Sequence, residues 1–90
     1  SLARTLGPEI RVNAIAPGFI QGEWLQNGLG EAYEQVKTAK AAGTVLGKVS
    51  TPEDIASGIL AMVLATNTTG HTLVIDGGDT VGPRISKGLK

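Results

Sequence analysis

Two short apolar runs, I-R-V-N-A-I-A at residues 10–16 and T-L-V-I at 72–75, bracket one strongly signalled helix, and that arrangement constrains the chain most. Neither run keeps the polar–apolar alternation of a strand with one wet face. Strands apolar on both faces belong to parallel sheets covered on both sides. Parallel neighbours need a crossover, and the intervening helix supplies it. Its start is written locally, in S-T-P-E-D at 50–54. Ser50 or Thr51 accepts orphan N–H groups, Pro52 needs no bond at the first helical position, and Glu53 and Asp54 meet the positive dipole end. Ile55, Ile59, Met62 and Val63 then fall on one face, with Leu60 and Leu64 beside it. The pattern predicts a helix at 52–65 joining parallel strands at about 10–16 and 72–76, in a right-handed strand–helix–strand unit.

The remaining segments carry weaker signals. Leu2, Ala3 and Leu6 read as the end of a helix stopped by Gly7-Pro8. Pro17-Gly18 is expected to end the first strand. Trp24, Leu25 and Leu29 suggest a short helix before Gly30. Residues 31–42 are rich in helix formers, but their apolar stripe is thin, with Tyr33 and Val36 its large members. That helix is expected to be exposed or mobile, between loops marked by Gly43 and Gly47. Asp76-Gly77-Gly78 closes the last strand as a tight turn, and residues 79–90 read as a polar tail.

Composition removes several function classes. Eight Lys plus Arg against eight Asp plus Glu give a formal net charge of zero, without the basic excess of a nucleic-acid-binding domain or a polybasic membrane patch. No apolar run approaches the roughly 18 residues of a membrane span. There is no cysteine for a disulfide or a thiolate metal site, which fits a reducing, cytoplasmic setting. Two strands cannot make a stable parallel sheet alone. The 90 residues are therefore expected to be one incomplete domain, the edge of a larger α/β sheet, and the opening in mid-helix without Met fits a fragment.

Three blocks make the chain recognisable: S-L-A-R-T-L-G-P-E-I-R-V-N-A-I-A-P-G-F-I, then T-P-E-D-I-A, then T-G-H-T-L-V-I-D-G-G. Their order and spacing resemble the C-terminal third of a short-chain dehydrogenase/reductase, over residues 1–78. The resemblance implies a Rossmann-type doubly wound parallel sheet, with residues 11–16 as its sixth strand and 72–76 as its seventh. It implies a substrate lid at 19–49 and NAD or NADP as cofactor. It further implies an oxidoreductase that interconverts an alcohol and a carbonyl of a small molecule. The family's T-G-x-x-x-G-x-G loop does not occur in these residues, and by the resemblance its catalytic Tyr–Lys pair lies shortly upstream of the position of Ser1, so no catalytic residue carries over and the chain alone is expected to be inactive. What carries over is one wall of the cofactor site. Pro17, Gly18, Phe19 and Ile20 match P-G-x-[IV], where Gly18 would let the backbone approach a flat ring and the Ile20 backbone would pair with the nicotinamide carboxamide. The family's threonine two positions on is here Gly22, which removes a hydroxyl contact. Trp24 and Leu25 either line the substrate pocket or pin the lid. The last helix and strand, residues 52–76, imply a homo-oligomer, tetramer or dimer.

Plainer roles fit the other polar residues. Asn13 suits backbone bonding and Tyr33 and Met62 suit packing. His71 lacks a Ser, Cys or second His partner for catalysis or metal binding. Glu53 and Asp54 suit a helix first turn better than acid/base work. Two function classes stay open: a part of an NAD(P)-dependent oxidoreductase, or a non-catalytic assembly module or remnant of such an enzyme.

Overall fold

The computed structural model describes residues 1–85. In chain order the elements are helix α1 (Leu2–Leu6), strand β1 (Ala14–Pro17), helix α2 (Glu23–Leu29), a 3-10 turn (Gly30–Ala32), helix α3 (Tyr33–Ala42), helix α4 (Pro52–Leu64) and strand β2 (Thr72–Ile75). β1 and β2 pair in parallel, Ala14 with Thr72 through Pro17 with Ile75, and α4 packs on both. The strand–helix–strand unit is thus as expected.

α4 starts where the local chemistry places it. Thr51 is the N-cap, its hydroxyl accepting from the Asp54 N–H at 3.1 Å. The Asp54 carboxylate returns the bond by accepting the Thr51 N–H at 2.9 Å, a reciprocal capping box. Those bonds hold the Asp54 carboxyl below its ordinary pKa of 3.8, the Thr51 N–H contributing most. At its other end α4 is closed from afar. The Arg11 guanidinium donates to the carbonyls of Met62, Val63, Ala65 and Thr68, at 2.9 to 3.1 Å. These carbonyls lie at and just past the helix end, where intrahelical donors run out.

β1 is shorter than the predicted 10–16, for a visible reason. Before Ala14, side chains enter the ladder: the Val12 N–H donates to Thr69 Oγ1, and Asn13 bridges the Thr68 carbonyl and the His71 N–H. Asn13 therefore has the backbone-bonding role assigned to it. β1 also runs through Pro17 instead of stopping before it. Ala14 and Gly18 donate to the His71 and Ile75 carbonyls, so the alternating phase turns the nitrogen of Pro17 away from β2. Beyond β2, turns run on to Gly82, bonded through the Asp76, Gly78 and Asp79 carbonyls, so residues 79–82 are not a free tail. Residues 83–85 follow without helix or strand, and the last part of the expected tail, residues 86–90, lies outside the described residues.

Burial is sparse. Among the described residues, Tyr33 and Val49 are the buried apolar side chains, joined by Thr44 and Ser50. The chain exposes 6750 Å², against about 4,900 Å² for a compact protein of its mass. Large apolar side chains are among what is exposed: Ile59, Leu60, Val63 and Leu64 on α4 and Val74 on β2 are all about half exposed or more.

Candidate functional site

The carboxyl ends of β1 and β2 lie side by side, which is where ligands sit on parallel sheets. From β1 the chain passes through Gly18 into an extended stretch, and from β2 it enters the Asp76-Gly77-Gly78 turn. The Asp76 carboxylate accepts from the Gly78 N–H at 2.9 Å and the Thr80 N–H at 3.0 Å. The bond from Gly78 dominates in holding the Asp76 carboxyl below its ordinary 3.8. That turn is the structural role expected of this sequence.

The extended stretch is pinned by Ser50. Its N–H donates to the Phe19 carbonyl at 3.0 Å, and its carbonyl accepts the Gln21 N–H at 2.9 Å. Ser50 Oγ reaches the Ile75 carbonyl at 3.4 Å, tying the stretch to β2. In such a parallel bridge the flanking residues supply the bonds, and the residue between them turns its own groups the other way. Ile20 is that residue. Its N–H and C=O make no hydrogen bond among the described residues. Ile20 thus presents one donor and one acceptor together, on the edge facing away from Ser50. That pair is complementary to a primary carboxamide, which offers one acceptor and two donors.

A floor of small loops supports this edge. Thr44 Oγ1 accepts from the Gly47 and Lys48 N–H groups and donates to the Ala41 carbonyl. The Leu46 N–H donates to the Gly77 carbonyl at 3.0 Å. A Cβ on Gly78, whose φ is 88°, would meet the Val45 Cβ at 2.9 Å. The loop at 44–50 is therefore clamped against the turn after β2. Sequence patterning does not mark Thr44 or Ser50 for these roles, because their hydroxyl bonds leave no periodic trace, and Ser50 was expected only as a possible helix cap. The adjacency of Ser50 to the helix cap was the available signal.

The other expected site residues fall as follows. Pro17, Gly18, Phe19 and Ile20 are contiguous on the edge just described. Gly22 follows in fully extended conformation as the N-cap of α2, with φ 162° and ψ 170°. A Cβ there would meet nothing within 4 Å, so a side chain is sterically free to occupy the position. Leu25 is half-buried on α2, whereas Trp24 is 84% exposed and packs into no core. Tyr33 is a packing residue as expected, 6% exposed, its ring 6.2 Å from that of Phe19. His71 is exposed. Among the described residues, no cluster of three or more His, Asp or Glu could hold a metal, and no helix is long and apolar enough to cross a membrane.

Comparison with known proteins gives this geometry a context. Residues 1–80 match the family described as Enoyl-(Acyl carrier protein) reductase. The granaticin polyketide synthase ketoacyl reductase 2 of Streptomyces violaceoruber is 43% identical over 77 residues, covering 86% of this chain and 30% of that one. The 3-oxoacyl-[acyl-carrier-protein] reductase FabG of Chlamydia muridarum is 41% identical over 83 residues, covering 87% and 31%. Among solved structures, a small-chain dehydrogenase in complex with NADPH superposes with a TM-score of 0.81 at 33% identity, over 90% of this chain and 36% of that one. The MalC reductase/Diels-Alderase of Malbranchea aurantiaca gives 0.84 at 30% identity, over 89% and 30%. The chain spans about a third of the length of these relatives.

Proposed function

The chain belongs to the short-chain dehydrogenase/reductase family, and from that premise we propose that it forms the C-terminal third of an NAD(P)-dependent oxidoreductase interconverting an alcohol and a carbonyl. In this reading β1 and β2 are the sixth and seventh strands of a Rossmann-type sheet. The observation that carries it is the unpaired N–H and C=O of Ile20, held on an extended edge at the carboxyl end of a parallel strand. NADPH bound to a structural relative supports the choice of cofactor.

Each segment then has a task. The bound nicotinamide supplies or accepts the hydride. Ile20 orients the ring through its carboxamide, while Pro17, Gly18, Phe19 and Gly22 form the wall on either side. Residues 19–49 act as a lid that excludes water, with Trp24 and Leu25 turned to a small-molecule substrate when the lid closes. The groups that move the substrate proton lie outside these residues, so the 90-residue chain by itself is inactive. The apolar surface of α4 and β2, within residues 52–76, forms the interface of a tetramer or dimer in a cytoplasmic enzyme.

The test is dinucleotide binding by the full-length protein, read by nicotinamide fluorescence. Ile20→Pro deletes the donor and leaves the Ser50 bridge, whose bonds come from Phe19 and Gln21. The dissociation constant is expected to rise about tenfold or more. An unchanged constant removes Ile20 from the site. A non-catalytic assembly role would be favoured instead if the wild-type protein bound neither NADPH nor NADH yet remained oligomeric.

A further inference from the structure

Building on the cofactor reading above, we infer that Tyr33 donates its hydroxyl proton to an oxygen at the nicotinamide end of the dinucleotide, acting from the lid helix as a cofactor-positioning residue. Tyr33 opens α3 and is 6% exposed. Phe19 packs against its ring, and the Lys37 ammonium stands 6.0 Å from the ring centroid. The ring is therefore fixed by packing, and with it the position of the hydroxyl.

That hydroxyl is only half used. Its oxygen accepts the Gly22 N–H at 3.2 Å, but its proton finds no acceptor among the described residues. A buried phenol usually donates as well as accepts. The direction of the Gly22 N–H says where the hydroxyl lies. Gly22 is two residues beyond Ile20 and fully extended, and in extended chain residues i and i+2 present their N–H groups on the same edge. The Ile20 N–H and C=O and the Tyr33 hydroxyl thus share one edge, about 7 Å apart along it. Position 22 adds no side chain of its own, and the space a Cβ would fill there is open to 4 Å. The edge that would orient the carboxamide therefore has one free hydroxyl donor beside it, delivered by α3.

The assignment is tested in the full-length protein by a two-residue cycle read as the dissociation constant for NADPH and for NADH. Tyr33→Phe keeps the ring and removes only the hydroxyl. It is expected to raise the constant about 2- to 10-fold. With Gly22→Thr in the background, which builds a hydroxyl into the open space, the same change is expected to cost less than about twofold. An unchanged constant for Tyr33→Phe overturns the assignment. So does an equal loss in both backgrounds that follows a drop in melting temperature, which would mark Tyr33 as a packing residue only. A second readout needs no variant: the isotope-labelled Tyr33 Cζ resonance is expected to shift when wild-type protein is saturated with NADPH, and a stationary resonance overturns the assignment. Failure of the wild-type protein to bind either dinucleotide would instead overturn the cofactor reading itself. Binding by the wild type with Tyr33→Phe silent leaves that reading standing and removes Tyr33 alone.

Discussion

The Cβ that Gly18 lacks would stand 2.9 Å from the Cβ of Asp76 and 3.2 Å from its Cα. Side-chain carbons do not pack at that distance, so residue 18 is glycine because the next strand is there. The Gly18 N–H donates to the Ile75 carbonyl at 3.0 Å, completing the ladder at this end. The reason visible in the fold is thus the neighbouring strand end, whereas the expected reason was close approach to a flat ring.

Gly18→Ala is accordingly expected to destabilise the protein by about 1–3 kcal/mol through overpacking, read as a lowered urea midpoint. In an Asp76→Gly background, which lacks the colliding Cβ, the same change should cost less than it does in the wild type. A Gly18→Ala protein with the wild-type midpoint would show that the two strand ends separate freely.

Gly58 plays the same part between helix and sheet. It is the buried residue of α4, and a Cβ on it would collide with Ile75 Cδ1 and lie 3.5 Å from Leu73 Cδ2. Alanine would gain about 1 kcal/mol in helix propensity, yet must displace a side chain of β2. Gly58→Ala is expected to be net destabilising by about 1 kcal/mol. Ile75→Val, which removes the colliding methyl, should turn the pair stabilising relative to Ile75→Val alone. Thermal melts of the four proteins decide the sign.

Arg11 is expected to matter more than its place before a strand suggests. Its fork satisfies four carbonyls at and beyond the end of α4. Arg11→Met should cost about 1.5–3 kcal/mol, and Arg11→Lys should restore less than half, since an ammonium cannot reproduce the planar fork. Amide exchange should accelerate at residues 62–68 first. Uniform acceleration along α4 would contradict the capping role.

Acid should weaken the molecule at both its acidic turns. The Asp54 and Asp76 carboxyls are held below 3.8 in the folded state, chiefly by the Thr51 and Gly78 N–H groups respectively. The unfolded chain then binds their protons more readily. Their contribution is fully present above about pH 4 and is lost as pH falls through the lowered folded values. Melting temperature is expected to be flat near neutrality and to fall below about pH 4. Asp54→Asn with Asp76→Asn should flatten that acid limb. An unchanged slope would place the proton uptake elsewhere.

Legibility in the sequence followed the range of the interaction. α4 could be read to within a residue because Thr51, Pro52 and Asp54 act on their own first turn. The parallel pairing followed from apolar runs and the need for a crossover. The true start of β1 could not be read, because Val12 and Asn13 bond to Thr68, Thr69, Gly70 and His71, more than fifty positions away. The stretch at 17–20 stood out through its motif, but the Ser50 bridge that leaves the Ile20 N–H and C=O without partners among the described residues is another distant pairing. Tyr33 was seen as packing, and its hydroxyl bond to Gly22 was invisible because nothing in a helical stripe encodes it.

Ala14 meets its partner Thr72 only 58 positions further along the chain. At a synthesis rate of about 5–20 residues per second, β1 emerges roughly 3–12 s before β2 exists. α4 carries its own N-terminal cap, and its turns can begin to form within microseconds. The order of assembly on the ribosome is therefore helix first and ladder last. A nascent chain stopped before residue 72 keeps β1 as an open template for any other strand it meets.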